Sequence, residues 1–208
     1  MKGKFITIEG IDGSGKSTVI KYINNYLGKL DYDIILTREP GGTEISENIR
    51  EIIVNKKIDI KTEALLFAAS RREHVVNKII PALKDNKIII SDRFLDSSIA
   101  YQVYGRSLKR EDILYINNFA IDGLTPDFTI YLDVDIDVAS TRLKNRLENN
   151  SLDNENKKFY DNVKKGYSEL SKKYSNRICV VDANKDQEYV KKVVIKKMQE
   201  KFKEWQIN

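Results

Sequence analysis

Phe5-Ile6-Thr7-Ile8-Glu9-Gly10-Ile11-Asp12-Gly13-Ser14-Gly15-Lys16-Ser17-Thr18 opens as an apolar β-type run, breaks into a glycine loop and passes directly into the helical pattern Val19 to Leu27. From Gly10 to Ser17 the chain satisfies GxxxxGK[ST], and strand, glycine loop and helix in that order is the context the motif requires. The glycines let backbone N–H groups turn inward around phosphate oxygens, and the helix N-terminus adds its partial positive charge. Lys16 is expected to reach the β and γ phosphates of a nucleoside triphosphate, and the Ser17 hydroxyl to ligate Mg²⁺. A plain strand-to-helix turn would account for the glycines but would leave Lys16 and Ser17 unexplained. Gly10, Ile11, Asp12, Gly13, Ser14, Gly15, Lys16, Ser17 and Thr18 are therefore the candidate loop for a nucleoside triphosphate such as ATP.

Four more β-rich runs follow, Ile34 to Thr37, Ile88 to Ser91, Phe128 to Val134 and Ile178 to Val181. Several are continuously apolar, as strands covered on both faces should be. Helix-length segments with 3.6-residue periodicity lie between them, which predicts an α/β fold: a five-stranded, mostly parallel sheet flanked by helices. In the last helix Val190, Val193, Val194, Met198, Phe202 and Trp205 form one apolar stripe, with lysines opposite. Repeats, low-complexity tracts and a plausible linker are absent, so residues 1–208 read as one domain. Leu147 to Lys158 (LENNSLDNENKK) is polar and asparagine-rich, the composition of a mobile excursion over a site, and a lid is expected over about residues 142–158.

The 208 residues are 41% apolar and 32% charged, enough to bury a core and stay soluble. No run approaches the roughly 18 apolar residues of a membrane-spanning helix, and MKGKFITIEG lacks the pattern of a secretory signal. A single cysteine, Cys179, cannot close an internal disulfide, which points to a reducing compartment, the cytoplasm. The net charge of +5 is a C-terminal feature, because Lys157 to Glu204 holds 14 Lys/Arg against 7 Asp/Glu. A solvated helix face explains such lysines without a nucleic-acid partner. His74 reads as a solvated helix residue, and Cys179, inside a strand, as core.

Three further segments carry chemistry. Asp92-Arg93 ends the strand IIISDR, where ligands of open α/β sheets gather; the aspartate can orient Mg²⁺ or the acceptor and the arginine can clamp phosphate. Arg38-Glu39-Pro40-Gly41-Gly42-Thr43 is turn chemistry, yet it too places a charged pair at the end of a strand. Within Leu65-Leu66-Phe67-Ala68-Ala69-Ser70-Arg71-Arg72-Glu73, Phe67 and Arg71 stand four residues apart on one helix face. A flat ring beside a planar cation can hold a nucleobase.

In chain order EGIDGSGKST, TREPGGT, LLFAASRREH, SDRFLDSSIAYQ and TIYLDV resemble the thymidylate kinases over nearly the whole length. The resemblance implies transfer of the γ-phosphate of ATP to dTMP with Mg²⁺, by a homodimer that needs neither nucleic acid nor membrane. It assigns Lys16, Asp92 and Arg93 to catalysis, Ser17 and Asp92 to the metal, and Asp12, Arg38, Glu39, Arg50, Phe67, Arg71, Arg93, Ser97, Ser98, Tyr101 and Gln102 to dTMP. Phe67 would stack on thymine while Arg71 donates to its O4, a donor that suits a carbonyl and opposes the amino group of cytosine. Arg50 and Arg93 would hold the phosphate, and Tyr101 would crowd a 2′-hydroxyl. Which of Ser97 and Ser98 faces the base is left open.

The lid departs from the family pattern, in which arginines on the lid offset a P-loop lacking one. Leu152-Asp153 is flanked here by Ser151 and Asn154. The nearest cations are Arg142, Lys144 and Arg146, of which Arg146 is taken as the catalytic one. An adenine contact is expected around Asp182 to Lys185. A rival kinase for another monophosphate would not need the Phe67/Arg71 pair. A guanine-nucleotide switch is disfavoured because Asn184-Lys185-Asp186 is followed by Gln187, so NKxD is not met, and no DxxG follows the SDRF strand.

Overall fold

A computed structural model describes residues 3–30, 32–144 and 156–206. Five parallel strands, β1 (Lys4–Glu9), β2 (Ile34–Arg38), β3 (Ile88–Asp92), β4 (Phe128–Asp133) and β5 (Ile178–Asp182), lie in the order β2-β3-β1-β4-β5. Every expected strand forms, each within a residue or two of its predicted bounds. Burial on both faces holds for the three central strands only. The edge strands β2 and β5 leave Leu36 and Val180 exposed, and Cys179 is half-buried rather than core.

Strand pleating sends alternate side chains to opposite faces. Ile6 and Ile8 of β1 join a core with Val19, Ile23 and Leu27 of α1 (Lys16–Gly28) and with Val194, Met198 and Phe202 of α9 (Gln187–Glu204). Phe5 packs on the other face with Val75, Ile79, Ile89 and Phe94. The α9 stripe is as the periodicity predicts, with Val193 and Trp205 half-buried at its margins. Polar groups inside are paired: Thr7 and Thr129 share a 2.8 Å hydrogen bond between β1 and β4.

Helix starts follow their caps. Thr43 caps α2 (Glu44–Asn55) and Asp59 caps α3 (Ile60–His74), each through its side-chain oxygen. α3 continues through a π-helical turn, Val75–Ile79, into α4 (Ile80–Lys84), where Pro81 cannot donate to the preceding turn. β3 leads into α5 (Leu95–Ser98) and a second π-helical stretch, Ile99–Gly105; α6 (Arg110–Ile121), α7 (Ile136–Lys144) and α8 (Lys157–Lys173) complete the described elements. Residues 145–155, most of the expected lid and Arg146 with it, lie outside the described residues. Among the described residues no helix is long and apolar enough to cross a membrane.

β1 connects toward one edge of the sheet and β4 toward the other, so their carboxyl ends flank a topological switch point, the usual place for a ligand. Both clefts described next open at that end.

Candidate active site

The glycine loop wraps the end of β1 as its motif requires. Gly13 has φ +80°, and a Cβ there would run into the Ala139 carbonyl of α7, so only glycine fits. Lys16 Nζ lies inside the loop, donating to the carbonyl oxygens of Gly10 and Ile11 at 3.2 Å each, 3.8 Å from Asp12 Oδ1. Burial, then the charge of Arg93, lowers the Lys16 pKa. A cleft of about 990 Å³ including its open mouth runs from the loop past Gly13, Ser14, Gly15 and Thr18 to Tyr22, Arg142, Ala183 and Lys185. Part of the expected adenine region thus faces the loop, with one of the three lid cations beside it. Within that region Asn184 is engaged elsewhere, accepting from the Asp135 N–H; Asp186, just beyond it, lines the same cleft and accepts from the Tyr189 N–H that starts α9.

A second cleft, about 810 Å³ with its mouth, is lined by Asp12, Glu39, Arg50, Phe67, Arg71, Arg93, Ser97, Ser98, Tyr101 and Gln102, among others. Ten of the eleven residues assigned to the acceptor nucleotide therefore meet in one place. Arg38 is the exception. As the last residue of β2 it points away from Glu39 to the surface, where its Nη2 pairs with Glu47 at 2.9 Å.

At one end of this cleft stands Arg93, whose φ of +71° is unusual for an arginine. Its Nη1 donates to the Gly10 carbonyl at 2.8 Å, to Ser97 Oγ at 3.2 Å and to the Tyr167 hydroxyl at 3.3 Å. Its Nη2 donates to Asp12 Oδ1 at 2.7 Å and to the Tyr101 hydroxyl at 3.1 Å. One guanidinium thereby joins the glycine loop to the second cleft. Burial works against the Asp12 carboxylate, but the charges of Arg93 and Lys16 outweigh it and hold its pKa well below the usual range.

At the other end Arg71 is 2% exposed and ion-paired through Nε to Glu39 Oε2 at 2.7 Å. Its Nη1 donates to Ser98 Oγ and to Asn117 Oδ1, and its Nη2 to the Phe94 carbonyl. Ser98 therefore stands at the Arg71 end of the cleft and Ser97 at the Arg93 end. Both Glu39 oxygens are engaged, Oε1 with His74 Nδ1 at 2.9 Å, which makes Glu39 a holder of side chains. His74 is not a solvated residue: it is fully buried, because this face of α3 looks inward onto the site.

Sequence reasoning missed several partners. Glu9 is buried at the end of β1, accepting from Phe94 N–H at 2.7 Å, Ser97 Oγ at 2.6 Å and the Tyr167 hydroxyl at 2.8 Å. Burial, then the nearby charge of Asp96, pushes its carboxyl up to about 7. Asp96 receives both Nη atoms of Arg177 at 2.7 Å. A charge closing the apolar strand FITIE was the available signal for Glu9; Asn117, Tyr167 and Arg177 have none.

Asp92 Oδ1 is buried without a hydrogen-bond partner among the described residues, and Ser17 is exposed at the start of α1. One carboxylate and one hydroxyl beside a phosphate loop fit Mg²⁺, which takes few protein ligands and completes its shell with phosphate and water.

Residues 8–194 match the family model described as Thymidylate kinase. The thymidylate kinase of Clostridium novyi (strain NT) is 49% identical over 188 residues, spanning 88% of this chain and 92% of the relative. That of Geobacillus sp. (strain WCH70) is 49% identical over 190 residues, 89% of this chain and 90% of the relative. The crystal structure of thymidylate kinase from Ehrlichia chaffeensis superposes with a TM-score of 0.79 at 37% identity, covering 96% of this chain and 99% of that one.

Proposed function

This chain belongs to the thymidylate kinase family and is a phosphotransferase that converts dTMP to dTDP, and we propose that it does so with ATP on residues 10–18, dTMP in the second cleft and Arg93 between them. The observation that carries this assignment is the position of Arg93, bonded on one side to Gly10 and Asp12 of the loop and on the other to Ser97, Tyr101 and Tyr167.

Phosphoryl transfer asks little covalent chemistry of the protein; it asks that two anions be brought together in line and their charge offset. Lys16 and the loop N–H groups take the β and γ phosphates. Arg50 and Arg93 hold the acceptor phosphate, already anionic at pH 7, so that no base need remove a proton. Phe67 stacks on thymine and Arg71 donates to its O4. The ring of Tyr101 closes the sugar side, while its hydroxyl stays with Asp12 and Arg93. Ser17 and Asp92 would hold Mg²⁺, which when bound neutralises charge on the β and γ oxygens. Arg38, paired with Glu47, is assigned to the rim. Arg146 stays the assigned lid cation, and Arg142, which lines the loop cleft, and Lys144 are its competitors; kcat of the three alanine variants separates them.

We also assign the chain as one domain and a cytoplasmic homodimer. The single cysteine supports a reducing compartment. Leu65 of α3 with Tyr115 and Phe119 of α6, all exposed, supports a face for a second copy. Lys191, Lys197 and Lys201 of α9 each pair with a glutamate three residues away, which supports a solvated face rather than a nucleic-acid surface.

The test is ADP release across a panel of nucleoside monophosphates, with and without Mg²⁺. dTMP is expected to be the best acceptor, dUMP poorer by roughly 10- to 100-fold for the missing methyl, dCMP poorer still, and turnover to require the metal. Equal use of dCMP and dTMP would overturn the base assignment.

A further inference from the structure

The reaction as assigned leaves one buried ring without a part. His74 lies between Thr37 and Glu39, with Nε2 2.6 Å from Thr37 Oγ1 and Nδ1 2.9 Å from Glu39 Oε1. Glu39 Oε2 in turn accepts from Arg71 Nε at 2.7 Å. An ionised carboxylate oxygen only accepts, so Nδ1 carries the proton and donates to Glu39. His74, Glu39 and Arg71 are all at least 95% buried. The turn that follows Glu39 packs on this chain: a Cβ on Gly42 would lie 2.5 Å from Thr37 Oγ1 and 2.7 Å from the His74 ring.

The far end of the chain has little freedom left. A guanidinium has five N–H donors. On Arg71 the Nε hydrogen goes to Glu39, the two on Nη1 go to Ser98 and Asn117, and one on Nη2 goes to the Phe94 carbonyl. One Nη2 hydrogen remains for a ligand in the cleft. Its direction depends on the guanidinium plane, and Glu39 is the ion-pair partner of that guanidinium. Apart from Arg71, the side chain of Glu39 is held by His74.

We propose that His74 is a positioning residue for base selection: its Nδ1–H fixes the Glu39 carboxylate, which orients Arg71 so that the remaining Nη2–H meets a carbonyl oxygen on the pyrimidine. The inference rests on the assignment of Arg71 to the base. It gives the buried imidazole a role in choosing between a carbonyl and an amino group at one ring position, through two intervening side chains and without contact to the nucleotide.

Two substitutions separate the donor from the bulk. In His74→Asn the amide nitrogen stands two bonds from Cβ, as Nδ1 does, and keeps the donation to Glu39. In His74→Gln the amide reaches toward Thr37 and loses it. His74→Gln is expected to raise KM for dTMP about tenfold and cut the preference for dTMP over dCMP by a similar factor, while KM for ATP stays within about twofold. His74→Asn should stay within about threefold of the parent on every constant. Combined with Arg71→Lys, which removes the fork, His74→Gln should add less than about twofold to KM for dTMP, because both act through one group. If the Asn and Gln variants behave alike, if KM for ATP rises in step, or if the double variant shows the full product of the two losses, the inference is wrong. Should neither His74 variant fold, Thr37→Val removes the bond at the outer end, with a rise of about two- to fivefold in KM for dTMP alone expected; an unchanged KM would overturn the inference. Arg71→Lys by itself keeps the two failures apart. Equal loss for ATP and dTMP would indict the base assignment, whereas a dTMP-selective loss with no coupling to His74 would indict only the role of His74.

Discussion

The backbone N–H of Phe94 donates to Glu9 Oε1 at 2.7 Å. The carbonyl of Phe94 accepts from Arg71, and Glu9 Oε2 accepts from Ser97 and Tyr167, both of which also bond Arg93. A carboxyl group absent from the binding motif thus ties the Arg93 end of the second cleft to the Arg71 end. It is buried among hydroxyls and a backbone amide, and its charge is costly there.

Stability should record that cost. Burial, then the charge of Asp96, pushes the Glu9 carboxyl up to about 7 in the folded protein from an ordinary 4.5. Between those values the folded state binds more protons than the unfolded one, so stability falls as pH rises through the window and levels off above it. The loss is on the order of 3 kcal/mol. Urea denaturation from pH 4.5 to 8 should show this slope in the parent and a flatter curve in Glu9→Gln; parallel curves would refute the assignment.

Lys16→Ala should lower kcat by roughly 1,000-fold, the scale of removing a preorganised positive charge from a transferring phosphoryl group. The ammonium bonds two loop carbonyls and no strand or helix depends on it, so the melting temperature should stay within a few degrees. Steady-state kinetics with a thermal melt checks both halves.

Arg177 and Asp96 join the residue preceding β5 to α5 by two 2.7 Å bonds, and neither lines either cleft. Arg177→Met would strand a buried carboxylate and should cost about 3 kcal/mol in urea unfolding. At a temperature where the variant is folded, KM for ATP and for dTMP should both change little.

Phe119 is 79% exposed and Tyr115 76% exposed, side by side on α6. If a second copy covers them, Phe119→Glu should convert a dimer into a monomer in sedimentation equilibrium while leaving each acceptor cleft intact. An unchanged mass would place the interface elsewhere.

Much of this site is legible in the sequence because its chemistry is local. GxxxxGK[ST] sets the loop, and Phe67 and Arg71, four residues apart on a helix, must share a face. Arg38 and Glu39 are neighbours in sequence but not in the site, since strand alternation turns adjacent side chains to opposite sides. His74 was misread for a related reason: RREH has the composition of a solvated helix end, yet that face of α3 turns inward to a polar cleft. Tyr167 reaches Arg93 from α8, and Arg177 reaches Asp96 from the residue preceding β5, contacts that only the sheet order creates. The edge strands read as buried because apolar composition does not reveal which strands end a sheet.

The most direct test is a crystal structure of the protein with dTMP and a non-hydrolysable ATP analogue together. The thymine should lie on Phe67 with its O4 on Arg71 Nη2, the dTMP phosphate between Arg50 and Arg93, and the triphosphate on residues 10–18 with its terminal phosphate facing the acceptor. A dTMP molecule bound outside the cleft of Phe67, Arg71 and Arg93, or turned so that its phosphate points away from Lys16, would contradict the account.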